Sequence, residues 1–222
     1  KSITSASIAA ARDKINKTLG KGEEKMSTAQ AFSILFGGVL QRTGLHGELE
    51  VTATTVTSIL SAITSGSITT TQGSIARARG GEKVSAAQAF AMLFGESFRY
   101  LNKSGVCDAK LLNDAIVDVA GKMPALMAQA KNGETALQVF SIGLGLEANY
   151  RTEKGELDSA RFNKAMIEAV GRMDELMSQA KPGESRLSIF ALLLAGGSNV
   201  AYNGGDGNFK STEFNSAIDY IL

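Results

Sequence analysis

Four similar segments constrain this chain of 222 residues more than any other feature of the sequence. Each segment carries a phenylalanine at the same place: Phe32, Phe90, Phe140 and Phe190. A glycine follows each phenylalanine 15 to 17 residues later: Gly47, Gly105, Gly155 and Gly207. Eight residues after the glycine, the last three segments carry an asparagine: Asn113, Asn163 and Asn215. Offsets that recur this closely predict one supersecondary unit repeated four times.

Each unit has the pattern of a helical hairpin. In the third unit, apolar residues recur at i, i+3 and i+4 positions around Phe140, which is typical of an amphipathic helix. Gly155 predicts the end of this helix, and a second apolar stripe runs from Phe162 to Met177. One hairpin cannot bury its stripe alone, so the sequence predicts an all-α fold in which four hairpins pack as one bundle or array.

The pattern also predicts where the elements lie. We expect a single domain over residues 1–222, with repeat units at about 22–66, 81–131, 133–181 and 183–222. A leading helix at 3–18 precedes the units, and residues 65–80 form an inserted loop with a short basic helix at 69–79. The other helices are expected at 27–43, 49–64, 85–102, 108–130, 134–149, 157–180, 185–199 and 211–222. Residues 49–64 are rich in Thr and Val, so a strand is the alternative there. The four repeated phenylalanines are expected to be equivalent buried core residues.

Composition excludes several classes of function. The 23 Lys and Arg residues balance 22 Asp and Glu residues, which argues against a nucleic-acid partner. No apolar run reaches about 18 residues, so no membrane span is predicted. Cys107 is the only cysteine, which excludes an internal disulfide. It is either a small apolar side chain at a hairpin corner or the site of a disulfide between chains.

Candidate catalytic residues are scarce. His46 is the only histidine, and it lies in the corner of the first hairpin. Without a second histidine or a recognisable pair of carboxylates, the sequence predicts neither an enzyme nor a cofactor. Asp206, Asn208 and Glu213 copy the second half of an EF-hand loop and form the calcium candidate of the sequence. The first half of that loop supplies no carboxylate, so a polar turn with a helix cap is the alternative.

Two helix starts carry a shared string. Residues 27–36 read STAQAFSILF and residues 85–94 read SAAQAFAMLF. This A-Q-A-F-x-x-L-F string resembles the globular repeat domains of spider silk proteins, notably those of the aciniform and pyriform kinds. Leu137 to Ala169 also resembles the last helical pair of their terminal domains. The resemblance implies a secreted, structural module that associates with itself or with other protein subunits.

A second resemblance implies a different function. The stretch from Gly155 to Met173 is similar to helices of the dinoflagellate peridinin–chlorophyll proteins, which are also repeated and all-helical. It implies a carrier or light-harvesting protein of an organelle lumen, with an apolar pigment or lipid between helices. The histidine pair of that family has no match here, so carbonyl, Asn or water ligands would be needed. Small residues inside the stripes, such as Gly143, leave room either for such a ligand or for a close helix neighbour.

Overall fold

The computed structural model of the chain describes residues 5–18, 25–35, 51–64, 66–78, 81–130, 133–205 and 207–221. Within these ranges the regular structure is helical, apart from three isolated β-bridges, so the predicted all-α class is confirmed. The helices are α1 (Ser5–Thr18), α2 (28–35), α3 (Ala53–Ile63), α4 (Ser67–Ala78), α5 (Ala86–Ser97), α6 (Ala109–Met127), α7 (Ala136–Glu147), α8 (Ser159–Gln179), α9 (Arg186–Gly197) and α10 (Ser211–Ile221). Short 3₁₀ turns lie at Phe98–Tyr100 and Val200–Tyr202.

Two segments of the first half form the helices expected there. The Thr-rich segment forms helix α3 and not a strand, because Thr52 caps its N-terminus and an apolar face including Ile59 is buried. The short basic helix expected at 69–79 is helix α4, which starts two residues earlier and takes up most of the inserted segment. Ile68 and Ile75 lie on one face of α4 and are buried, so packing of that face stabilises the helix.

The starts of the four Phe-bearing helices share one local mechanism. A Ser or Thr hydroxyl accepts the backbone N–H of the residue three positions later, and that residue's side chain accepts the N–H of the cap. This reciprocal pair is present at Ser27 with Gln30, Ser85 with Gln88, Thr135 with Gln138 and Ser185 with Ser188. The recurrent S/T-x-x-Q motif, in which Ser replaces Gln in the last unit, therefore determines where each Phe-bearing helix begins.

The chain divides into two compact units, residues 1–120 and 121–222, with the boundary inside α6. In the first unit, α3, α4 and α5 pack against one another. In the second unit, α9 packs against both α7 and α8, and α10 packs against α8. None of the described helices is long and apolar enough to cross a membrane. The expected single domain over all 222 residues stays a prediction.

The corner of the hairpin recurs three times in the described residues. An antiparallel bridge closes it between Leu101 and Cys107, Arg151 and Leu157, and Asn203 and Phe209. Inside each bridge, the repeated glycine has a left-handed φ of 71°, 82° or 76° (Gly105, Gly155 and Gly207). The glycine was expected to end the first helix, but α7 ends at Glu147, eight residues before Gly155. The corner of the first unit, with Gly47 and His46, lies outside the described residues, so the fourth copy of the corner is untested.

Burial separates the four repeated phenylalanines. Phe90, Phe140 and Phe190 are fully buried, whereas Phe32 keeps 47% of its surface exposed, so the prediction for Phe32 is wrong. Helix α2 buries Ala31 and Leu35, which lie one turn apart on one face. Phe32 follows Ala31 and lies about 100° further round the helix, beyond the narrow stripe that α2 buries.

Candidate functional site

The calcium candidate lies only in part within the described residues. Asp206 lies outside the described residues, and Asn208 and Glu213 are both exposed. The Asn208 side chain covers Gly204, where a Cβ would lie 2.8 Å from its Nδ2. Among the described residues, no group of three or more His, Cys, Asp or Glu side chains is placed to hold a metal ion. The loop instead joins successive hairpins, since the Gly207 N–H donates to Asp158 Oδ2 over 3.2 Å.

The repeated asparagines have different environments. Asn113 accepts a hydrogen bond from the Ser67 hydroxyl, and Asn163 is exposed. Asn215 Nδ2 donates to Glu168 Oε2 over 2.8 Å and to the carbonyl of Ser211 over 3.0 Å. Their recurrence therefore marks equivalent positions in the helices, and it does not mark a shared binding site.

The lone cysteine is a buried corner residue. Cys107 is 7% exposed, and its backbone N–H donates to the Ser58 hydroxyl over 2.8 Å. Burial, reinforced by the charge of Asp108, raises the pKa of the thiol to about 12. A protonated, buried thiol is a poor nucleophile, which favours packing over a disulfide between chains as the role of Cys107.

The candidate site is an apolar groove of about 560 Å³ in the second unit, which we call the terminal groove. It lies between the C-terminal end of α8, one face of α9, and α10. Its apolar wall includes Leu176, Ile189, Leu192, Leu193, Phe214 and Ile218. Gln179, Glu184 and Tyr202 supply polar groups among these residues. An apolar surface with a few polar groups is suited to binding, because the polar groups can fix the orientation of whatever covers the apolar wall.

The same arrangement occurs one hairpin earlier, where α9 covers it. The Ser185 hydroxyl at the start of α9 donates to Glu134 Oε1 over 2.9 Å. The next residue, Arg186, donates from Nε to Gln129 Oε1 over 2.8 Å. The N-terminus of α9 is therefore hydrogen-bonded to one carboxylate and one amide, which belong to residues 129–134 of the same chain.

The C-terminal end of α9 is received in a similar way. The Tyr150 hydroxyl donates to the backbone carbonyl of Leu194. Gly197, at the end of the helix, lies so close to the preceding hairpin that a Cβ there would be 3.5 Å from Ala165 Cβ and 2.8 Å from the Tyr150 hydroxyl. We call the surface formed by Gln129, Glu134, Tyr150 and Ala165 the internal groove.

The internal and terminal grooves have equivalent residues. Three landmarks align the two grooves: a Gly-Glu pair before each Phe-bearing helix, the corner bridge, and an Asn-x-Ala sequence in the helix after the corner. They align Gln129 with Gln179, Glu134 with Glu184, Tyr150 with Tyr202, and Ala165 with Ala217. All four equivalents line the terminal groove. The tyrosine equivalence is independently supported, because the Tyr150 and Tyr202 carbonyls accept the N–H groups of Asp158 and Lys210 at the same place in the corner. The terminal groove is therefore equivalent, within the second unit, to the surface that holds α9 in the internal groove.

Covering by a helix changes the environment of these residues. Tyr150 in the internal groove is fully buried, and this burial raises the pKa of its phenol, with Arg161 acting in the opposite direction. Tyr202 in the terminal groove is only half-buried. On α9, Leu192 is 72% exposed, although it occupies the position of the half-buried Ile142 on α7. Apolar surface of the terminal groove is therefore exposed to water, whereas α9 buries the equivalent surface of the internal groove.

Comparison with protein-family models, with curated proteins and with solved structures finds no match. Sequence reasoning did not identify the groove. The signal was present in the identical spacing from Gln129 to Glu134 and from Gln179 to Glu184, read together with the hairpin that follows each pair.

Proposed function

We propose that the chain is a structural, self-associating helical repeat module of a larger assembly, and that it acts through the terminal groove. The supporting observation is the equivalence between this groove and the internal groove that α9 covers. The proposal assigns association to the chain and no catalysis. It also agrees with the function that the resemblance to silk repeat domains implies.

Physical considerations favour association through the terminal groove. Leu192 on the groove wall is 72% exposed, and removing apolar surface from water contributes about 25 cal/mol per Å². The formal net charge of the chain is +1, so long-range repulsion between copies is weak. Electrostatic repulsion between copies therefore opposes burial of the groove wall only weakly.

The test is sedimentation equilibrium of the full chain over a range of concentrations, with one groove variant and one matched control. Leu192→Asp places a charge on the groove wall, while Ile167→Asp changes an equally exposed residue of α8 that does not line the groove. We expect the average mass of the wild type and of Ile167→Asp to rise with concentration, and Leu192→Asp to stay monomeric. A wild type that remains monomeric at millimolar concentration would refute self-association.

The size of the groove supports a second candidate function, that of a carrier for an apolar pigment or lipid. Its volume of about 560 Å³ lies within the range of about 300–1,000 Å³ found for small-molecule sites. Absorbance above about 350 nm and native mass spectrometry of the purified protein test this candidate directly. A retained pigment or lipid that is lost in Leu192→Asp would support the carrier in place of the assembly module.

A further inference from the structure

We infer that the occupant of the terminal groove is a helix of another polypeptide with the pattern of α9. That pattern is a Ser or Thr N-cap, an aromatic residue five positions after the cap, Leu or Phe nine positions after it, and a small residue twelve positions after it. The inference rests on the proposed function and names the partner. It follows from continuity with the internal groove, which holds such a helix in the same unit of the chain.

The apolar part of the pattern comes from the face that α9 turns inward. Phe190, Leu194 and Gly197 lie at i, i+4 and i+7, so they share one side of the helix. Phe190 and Leu194 on this side are fully buried. A helix with the same side chains presents the matching apolar stripe to the terminal groove.

The polar part of the pattern fixes the direction of the incoming helix. Glu184 is the equivalent of the carboxylate that accepts the Ser185 hydroxyl, and the Lys181 N–H donates to Glu184 Oε2 over 2.7 Å, which positions the side chain. The N-terminus of the incoming helix therefore lies at Glu184. A carboxylate there also stabilises the positive end of the helix dipole.

The opposite end of the groove receives the C-terminal part of the helix. Tyr202 is the equivalent of Tyr150, whose hydroxyl donates to a helix carbonyl. The Tyr202 ring packs edge-on against Phe214, with 5.4 Å between the ring centroids, which keeps it at the groove. The requirement for a small residue follows from Gly197, where a Cβ would lie 2.8 Å from the Tyr150 hydroxyl.

This combination favours a helix over a lipid as the occupant. A lipid chain satisfies an apolar wall but has no hydroxyl at one end and no row of carbonyls at the other. Glu184 and Tyr202 have the chemistry and the order along the groove that a capped helix needs.

The experiment measures binding of a labelled peptide to the full chain by fluorescence anisotropy. The peptide has the sequence of residues 183–199, followed by three lysines for solubility. We expect saturable binding, a loss of affinity of about tenfold or more in Leu192→Asp, and a change within about twofold in Ile167→Asp. A peptide with Phe190→Ser should bind about tenfold more weakly or not at all.

A double-mutant cycle tests the polar end. Glu184→Gln should weaken binding of the wild-type peptide, and it should have a smaller effect on a peptide with Ser185→Ala, because that peptide has already lost the hydroxyl. Equal effects of Glu184→Gln on both peptides would overturn the proposed direction and register of the helix.

The remaining outcomes separate this inference from the proposed function. If the chain self-associates through the groove but does not bind the peptide, the helical partner is refuted and the proposed function stands. If the peptide binds with groove dependence while the chain alone stays monomeric, the helical partner stands and self-association is refuted. Equal peptide binding by Leu192→Asp and wild type, or a retained lipid that the peptide cannot displace, would overturn the inference.

Discussion

Gly196 and Gly197 are neighbours at the end of α9, and alanine at each should have opposite effects on stability. A Cβ at Gly197 would lie 2.8 Å from the Tyr150 hydroxyl, closer than real Cβ contacts, so the tyrosine must move. A Cβ at Gly196 meets nothing within 4 Å. The pair therefore isolates close packing from the general preference of helices for Ala over Gly.

The expected magnitudes follow from these contacts. Overpacking of a buried site costs about 1–3 kcal/mol, and displacing the Tyr150 hydroxyl from the Leu194 carbonyl costs a similar amount if both stay buried. Alanine recovers about 0.5–1 kcal/mol of helix propensity. Gly197→Ala should therefore lower the free energy of unfolding by about 1–5 kcal/mol, while Gly196→Ala should raise it by about 0.5–1 kcal/mol.

Urea unfolding followed by circular dichroism measures both changes, and thermal unfolding should show shifts of about 2–4 °C per kcal/mol. The Tyr150→Phe background provides the decisive control, because it removes the atom nearest to the added Cβ. In that background Gly197→Ala should cost less, by about 0.5 kcal/mol or more. If Gly197→Ala is as stable as the wild type, α9 does not approach the preceding hairpin as closely as the structure indicates.

Other perturbations test the core, the titrating groups and the caps. Phe140→Ala should lower the free energy of unfolding by about 3–5 kcal/mol in urea, because the ring is fully buried. Phe32→Ala should lower it by less than about 1 kcal/mol, because Phe32 is exposed, and similar losses in the two variants would contradict this difference. The free energy of unfolding should fall as the pH rises from about 9 towards 12, because burial raises the pKa of Cys107 to about 12 and the unfolded chain loses that proton first. The dependence of this free energy on pH should be weaker in Cys107→Ala, and an unchanged dependence would exclude the thiol as its cause. The raised pKa of Tyr150 should add to this loss above about pH 10, so Tyr150→Phe should flatten the upper part of the profile. Ser185→Ala should lower stability by about 1 kcal/mol through loss of the α9 cap, and Ser185→Thr should restore most of it; equal stability of all three forms would show that the cap contributes nothing.

The sequence by itself determined the type and the approximate place of most helices. Local signals were sufficient because several helix starts carry their own cap, as at Ser85 and Thr135, and the amphipathic stripes have the period of a helix. These signals act between residues a few positions apart, so a single sequence displays them. The end of α5 was placed five residues too late, because the 3₁₀ turn at Phe98–Tyr100 continues the apolar pattern without continuing the α-helix.

Tertiary structure decided which faces of these helices are buried. Phe32 and Phe90 occupy equivalent places in nearly identical strings, yet one is exposed and the other is buried. A repeated sequence predicts equivalent positions within each unit, but burial depends on which neighbours cover the unit. The two strings are nearly identical, so the local sequence does not predict that one phenylalanine is exposed and the other is buried.

The terminal groove shows the same division between sequence and structure. The spacing from Gln179 to Glu184 repeats the spacing from Gln129 to Glu134, so the sequence determined that two grooves of one kind can form. Only the packing of α9 across the first pair showed that these residues receive a helix, and that the second pair lines an open groove. The physical reason is that side chains from three helices form the groove. Packing brings these helices together although they are far apart in the sequence, and a local sequence pattern does not encode such contacts.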